Sequence, residues 1–360
     1  MRVLPVHAST LQLTLQLTDQ LTDCQTNVAA ALLVSATGDQ CIMDFLSGNI
    51  TAADVEEDNQ LFSQIFDYTT IQLSPRAHNR NVRFISSGTA TIYEEFSGCT
   101  LYNCGTLTGK QVGLMIPIRE DSEVWWGSLL SNEIVIARSG HQLDILLQNG
   151  SCHLVVLIHQ DVLEAFLSEA ERECLTSVLD HPAGLLFSPT DEIQIQRSQL
   201  LNLLRSSQGQ ISADRIEQYA VSAFASFLSP PAPSVISICN SAAAIVAEAI
   251  ALDDASTGPV DIPAIQGALG VGRRSLELAF RKTVDCSPHA FFHRRRLCQA
   301  QQLLRYADPS VETVAGISRR CGFTNPGRFA GQYRDLFGTL PADVLRAACL
   351  FSLQQVPAAG

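Results

Sequence analysis

The chain has 360 residues, 46% of them apolar and 17% charged, with a formal net charge of -12. That length exceeds one ordinary domain and suggests two or three, while the apolar fraction excludes global disorder. No apolar run approaches the roughly 18 residues that span a bilayer, and residues 1–20 show no secretory signal.

The eleven cysteines run from Cys24 to Cys349 with no CxxC pair and no zinc-ligand spacing. They read as reduced thiols of a cytosolic protein, Cys99 and Cys104 included. The net charge hides an asymmetry. Residues 261–346 carry 13 Arg and Lys against 7 Asp and Glu, whereas residues 1–260 carry 11 against 29. An acidic body is joined to a basic unit, which points to a polyanionic partner for the C-terminal part alone.

In chain order, Leu11, Leu13, Leu15 and Leu17 alternate with polar residues and read as one half-buried strand. From about Val82 to Ile158, short apolar runs alternate with turn residues. Thr89–Tyr93, Val112–Ile118, Val124–Trp126, Ile134–Ala137, Leu143–Leu147 and Leu154–Ile158 are the strands expected of a sandwich or barrel. Trp125 and Trp126 are the candidate ligand contacts there. Neighbours on a regular strand face opposite ways, so at most one of them lines an interior cavity.

Asp161–Leu179, Ile193–Leu204 and Ala213–Leu228 carry helical apolar stripes, which suit either a domain's own core or a dimer seam. Three prolines within Ser229–Ser234 then break the pattern and mark an extended spacer.

Beyond Pro259 the chain repeats itself. Gly270–Pro288 lies over Gly322–Pro341, with Leu276, Phe280, Arg281 and Pro288 matching Phe329, Tyr333, Arg334 and Pro341. The glycines Gly270 and Gly322 are one residue out of that register, so the second copy has one extra turn residue. Each copy follows a short amphipathic helix, Ile262–Leu269 or Val311–Arg320. Helix, glycine-bearing turn and second helix form a helix-turn-helix, which sets one helix across the phosphate backbone and the next in the major groove. Between the copies His289–Tyr306 reads as one long helix with Arg294, Arg295 and Arg296 as a basic collar. Such a helix can hold two reading heads about 34 Å apart, one turn of DNA.

The stretches LGVGRRSLELAFRKTVDCSPHAFFHRRRLCQAQQLL and VAGISRRCGFTNPGRFAGQYRDLFGTLPADVLR resemble the DNA-binding domain of AraC/XylS-type transcriptional regulators. The resemblance covers about Ser234 to Arg346. Within that family IQLSP, LMIPI, EIVIARSG and GRFAGQYRDLFGTLP look most like the ethanolamine-operon regulator group, which makes a cobalamin or a small amine conceivable as effector. The resemblance implies an α+β chain: a β-rich, cupin-like sensor over residues 1–160, a helical and dimerising connector over 161–229, and an all-α DNA-binding domain over 234–346 with two helix-turn-helix units joined by a long helix.

Carried over by position, the family pattern puts groove contacts at Arg274, Glu277 and Leu278 in the first unit and at Asn325 and Arg328 in the second. Arg274 can pair with guanine and Arg328 with guanine or phosphate, Glu277 can accept from cytosine and Asn325 can read adenine, while Leu278 offers only apolar contact. Arg273, Arg281, Lys282, Arg294, Arg295, Arg319, Arg320 and Arg334 are the expected phosphate contacts, which position the protein and make binding salt-dependent. Two departures stand out. Gly272 replaces the family's capping Ser, and Pro326 and Gly327 leave the second reading helix few base-contacting side chains. Base discrimination is therefore expected mainly from the first unit.

Double-stranded promoter DNA, RNA polymerase, a small-molecule effector and a second copy of the chain are the partners this implies, with activation the expected sign and no membrane and no cofactor involved. His289 and His293, four residues apart, have no third metal ligand nearby and read as surface residues. The chain has no GxSxG, Walker, HExxH or dinucleotide motif. A cupin-type enzyme with an appended DNA-binding unit is the alternative, but His141, His153 and His159 do not supply its metal motif. A regulator of the same family without an effector is the other.

Overall fold

The computed structural model describes residues 46–354 except 64, 76–77, 120–121, 131–132, 181–184, 188–190, 207–210, 230–234, 237–240 and 257. The alternating leucines near residue 13 and most of the proline spacer lie outside these. An antiparallel eight-stranded sheet, in the order β1-β3-β4-β11-β6-β9-β12-β13, faces a five-stranded sheet in the order β2-β5-β10-β7-β8. Their strands are β1 (Leu46–Ala52), β2 (Phe66–Gln72), β3 (Arg80–Ser86), β4 (Ala90–Ser97), β5 (Leu101–Leu107), β6 (Gln111–Pro117) and β7 (Glu123–Trp125). There follow β8 (Ser128–Leu130), β9 (Ile134–Arg138), β10 (Gln142–Leu147), β11 (Ser151–His159), β12 (Leu185–Phe187) and β13 (Val235–Ile236).

Both faces of each sheet are covered, which is why these strands read as apolar runs as much as alternations. Tyr93, Val155, Trp125 and Ile145 point between the sheets. Their neighbours Ile92 and Val156 face outward from the large sheet. Val124 and Leu146 face outward from the small one.

The outer face of the large sheet is packed by α2 (Gln160–Phe166), α3 (Glu169–Leu179), α4 (Asp191–Ser206) and α5 (Ala213–Leu228). Leu200, Leu203, Ile216, Phe224 and Phe227 are buried there with Ile92, Ile136 and Val156. The apolar stripes of this connector are thus occupied within the chain. The single helix expected over Asp161–Leu179 is two, because Leu167 is extended and Ser168 starts a new helix with a capping box to Glu171. The connector also contributes β12, which pairs with β9 and covers its edge.

The outer face of the small sheet carries the C-terminal helices: α6 (Ser241–Ala255), α7 (Ile262–Leu269), α8 (Arg273–Val284) and α9 (Pro288–Tyr306). Ile71, Tyr102, Val124 and Leu146 share one apolar cluster with Val246, Ile265, Phe280 and Phe291. The rings of Tyr102 and Phe291 meet edge to face at 5.6 Å. The second unit consists of α10 (Val314–Arg320), α11 (Pro326–Phe337) and α12 (Pro341–Gln354), packed on the far half of α9. It touches the β domain through α1 (Val55–Phe62), whose Val55 joins its core, and through Gln72 Nε2, which donates to the Leu336 carbonyl at 2.9 Å. Among the described residues no helix is long and apolar enough to cross a membrane.

Candidate nucleic-acid interface

The repeat read from the sequence is a repeat of structure. Leu276, Phe280, Phe329 and Tyr333, at matching positions, are all buried, while Arg281 and Arg334 are exposed. The turns end at Gly272 and Asn325, which open α8 and α11, and the extra residue of the second turn is accommodated between Gly322 and that cap. Gly270 and Gly322 both have positive φ, 64° and 80°, as the tight turns require. The 19 residues of α9 join the two units, a span of about 28 Å at 1.5 Å per residue.

Arg273, Arg274, Leu278, Arg281 and Lys282 stand exposed on α8, and Glu277 is half-buried. Leu278 keeps 60% of its surface, an exposure that suits an apolar contact to a partner rather than a core position. In the second unit Asn325, Arg328, Arg319, Arg320 and Arg334 are exposed. Asn325 is already engaged, since its side chain accepts from the Arg328 amide at 3.0 Å and caps α11. Bidentate pairing with adenine needs that same oxygen, so the adenine role expected of Asn325 competes with its cap. Arg320 pairs with Glu312.

Arg295 departs from expectation. Only 6% exposed, it is ion-paired with Asp253 and Asp254 of α6. Burial would lower its pKa and the two carboxylates outweigh that, so it fastens α6 to α9 instead of meeting phosphate. The middle of the triplet points inward because the three arginines are consecutive on a helix and only one can follow the apolar stripe of Phe291, Phe292 and Leu297. Arg294 and Arg296 are half-buried.

A second candidate site lies between the sheets. A cavity of about 80 Å³ is lined by Phe66, Tyr68, Tyr93, Trp125 and Asn103, with Arg80, Glu95 and His153 at its polar end. Trp125 lines it. Trp126 does not, because the chain leaves the strand there: Trp126 and Gly127 have φ of 48° and 69° and form the tight β7–β8 turn. The indole of Trp126 donates to the Gln142 carbonyl at 3.2 Å.

The polar end was not legible in the sequence. Arg80 Nη1 meets Asp58 Oδ2 at 2.7 Å and Arg80 Nη2 meets Glu95 Oε1 at 2.7 Å. His153 lies 2.9 Å from Glu123 and 3.5 Å from Glu95. Burial would lower the His153 pKa, but the two carboxylates hold it at about 10, as a cation. Burial would raise Glu95, yet Arg80 and His153 hold it at about 2. Burial prevails at Asp58, raised to about 6. Asn103 Oδ1 is buried without a hydrogen-bond partner. Arg80 and Glu95 lie on different strands, and no spacing within either strand marks them as partners. Among the described residues no cluster of His, Cys, Asp and Glu suits a metal ion, and Cys99 and Cys104 are free thiols.

Comparison with known proteins bears on the C-terminal part. Residues 266–347 match the model of a helix-turn-helix domain family. The transcriptional regulator GbdR of Pseudomonas aeruginosa is 36% identical over 97 residues, which are 27% of this chain and 26% of that protein. The XylDLEGF operon transcriptional activator of Pseudomonas putida is 36% identical over 73 residues, 20% of this chain and 23% of that one. A solved structure titled a probable AraC family transcriptional regulator, from Rhodopseudomonas palustris, is 34% identical with a TM-score of 0.27, covering 29% of this chain and 96% of that one. The chain thus spans about a quarter of the length of these curated relatives.

Proposed function

We propose that the whole chain is a DNA-binding transcription regulator of the AraC/XylS type. In this reading residues 1–160 sense a small effector, residues 161–229 connect, and residues 234–346 bind promoter DNA. The observation that carries it is the pair of helix-turn-helix units on one helix, with Arg274, Leu278, Asn325 and Arg328 all exposed. The acidic body repels DNA and leaves the basic unit to approach it. Activation through RNA polymerase in the cytoplasm is the expected output. Self-association would use surfaces other than the stripes of α4 and α5.

The cavity is the effector site of this proposal. A cavity of about 150 Å³ accepts benzene, so about 80 Å³ admits only a few heavy atoms without expansion and no corrinoid. Helix α1 links the cavity to the reading heads. Asp58 holds Arg80 at the cavity, and Asp54, one turn earlier, and Glu57, the neighbour of Asp58, hold Arg305 near the end of α9. Tyr306 adds a hydrogen bond to Glu56 at 2.8 Å. An effector that prefers one position of α1 shifts the brace on α9, and it acts only through that difference in affinity.

Footprinting on the DNA upstream of its own gene, at two salt concentrations and with Arg274→Ala and Arg328→Ala, tests the reading. Two adjacent major grooves are expected to be protected, with base-specific loss in Arg274→Ala. Weak, position-independent binding that merely falls with salt would overturn it.

A further inference from the structure

The cleft between α9 and the start of α11 joins residues with expected DNA contacts, Arg294, Asn325 and Arg328, to three that have none, His289, His293 and Arg296. It measures about 740 Å³ and is lined by His289, His293, Arg294, Arg296, Asn325 and Arg328, and no carboxylate lines it. The charged side chains that line it are all basic, whereas some arginines nearby are neutralised. Arg295, Arg305, Arg320 and Arg346 each have an acidic partner. Among the described residues no ion pair involves Arg294, Arg296 or Arg328. Arg296 lies over the Phe323 ring at 5.9 Å, and its Nε is buried without a hydrogen-bond partner. The imidazoles of His289 and His293 stack, 6.4 Å apart and 6° from parallel, and His293 also meets the edge of Phe323 at 5.6 Å.

Gathering three guanidiniums around two imidazoles with no counter-ion is unfavourable unless an anion completes the site. Asn325 and Arg328 of the second reading head form one wall, so the anion that reaches the cleft when the heads dock is a phosphate of the strand between the two grooves they enter. We propose that this cleft grips a DNA backbone phosphate between the two reading heads, and that His293 takes up a proton from solvent as the phosphate seats. This rests on the DNA-binding reading above and adds to it a proton.

The electrostatics agree. In the free protein burial lowers the His293 pKa, and the charges facing it lower it further: Arg296, His289 and Arg294 from α9 and Arg328 from α11. A phosphate opposes all of these. A pKa higher in the complex than in the free protein means that binding strengthens as pH falls through the complex's pKa, and that the gain is complete below the free protein's.

The test is the affinity of the intact chain for a duplex it has itself selected from random sequence, measured from pH 5.5 to 8.5 at fixed ionic strength. The wild type is expected to bind severalfold more tightly at the acid end. His293→Gln is expected to flatten that profile, and His293→Lys to bind tightly and without pH dependence. Arg296→Gln is expected to lower the slope of log affinity against log salt by about 1. Identical profiles for wild type and His293→Gln, with an unchanged salt slope in Arg296→Gln, would overturn the proposal while leaving DNA binding intact. A chain that selects no duplex sinks both readings. Inorganic phosphate at matched ionic strength should not compete, and saturable competition lost in His293→Gln would assign the cleft to a free anion instead.

Discussion

The two reading heads share a register but not a support. The first rests its reading helix on the β domain: Leu276 and Phe280 pack with Phe291, which meets Tyr102 of the small sheet. The second is held by its own aromatic ladder, Phe323 to Phe329 to Tyr333 to Phe337, with neighbouring rings 4.8, 5.7 and 4.7 Å apart. The first helix opens without a side-chain cap at Gly272, and Asn325 caps the second. One unit is thus coupled to the body and carries several exposed side chains on its second helix. The other is held mainly by its own rings, with only Val55 and Gln72 of the β domain against it.

The largest test of that difference removes the ring under each head. Phe280→Ala and Phe329→Ala each delete a fully buried side chain and should cost about 3–5 kcal/mol. Both tryptophans, Trp125 and Trp126, lie in the β domain, so their fluorescence reports that domain alone. Phe280→Ala should lower the thermal midpoint seen by tryptophan as well as by helical circular dichroism. Phe329→Ala should lower the helical signal and barely move the tryptophan one. Equal shifts in both probes would erase the distinction in support.

Next in size is base reading. Arg274→Ala should cost about 1–3 kcal/mol at one base position and relax specificity there. Arg328→Ala should weaken all sequences alike, because its neighbours in the cleft are phosphate-directed. A selection experiment on each variant reads the difference directly. Position-specific loss in Arg328→Ala would reverse the ranking of the heads.

What the sequence disclosed follows the same division. The helix boundaries at Ile262–Leu269 and Ala213–Leu228 were legible to the residue, and the repeat exposed the buried pairs of both heads, because caps, turns and apolar periodicity act locally. β1, β2, β5 and α1 were not legible. Their strands pair over long separations, as β2 does with β5, and they mix polar residues into an apolar pattern. Arg80 and Glu95 are unremarkable in their own strands and become a site only when β3 and β4 lie side by side. Arg295 was misjudged for the complementary reason. Its partners Asp253 and Asp254 are some forty residues upstream, and no local pattern distinguishes it from Arg294 or Arg296.

A smaller effect separates cap from contact at Asn325. Asn325→Ala removes the oxygen that holds the Arg328 amide and should cost about 1 kcal/mol of stability. Asn325→Ser retains a capping oxygen and loses the amide. If Asn325 serves the helix alone, Asn325→Ser keeps both stability and base preference. A changed preference at one base pair in Asn325→Ser, seen in a selection, would restore Asn325 to the reading surface.

The smallest effect is expected at Gly272, where it also tests why the first head lacks a cap. Gly272 has φ of -71° and ψ of 156°, an extended conformation that serine adopts without strain. A side chain there meets nothing within 4 Å. Gly272→Ser should therefore supply the missing acceptor to the first turn of α8 and stabilise the protein by about a few tenths of a kcal/mol, the usual difference between glycine and serine at a cap. Denaturant unfolding followed by helical circular dichroism can resolve the sign. DNA binding gives the sharper reading, because the substitution adjoins Arg273 and Arg274. If the uncapped start leaves the first turn free to settle on the groove, Gly272→Ser gains stability but loses affinity for the selected duplex. If affinity rises with stability, the glycine has no part in reading, and the two heads differ only in what they rest upon.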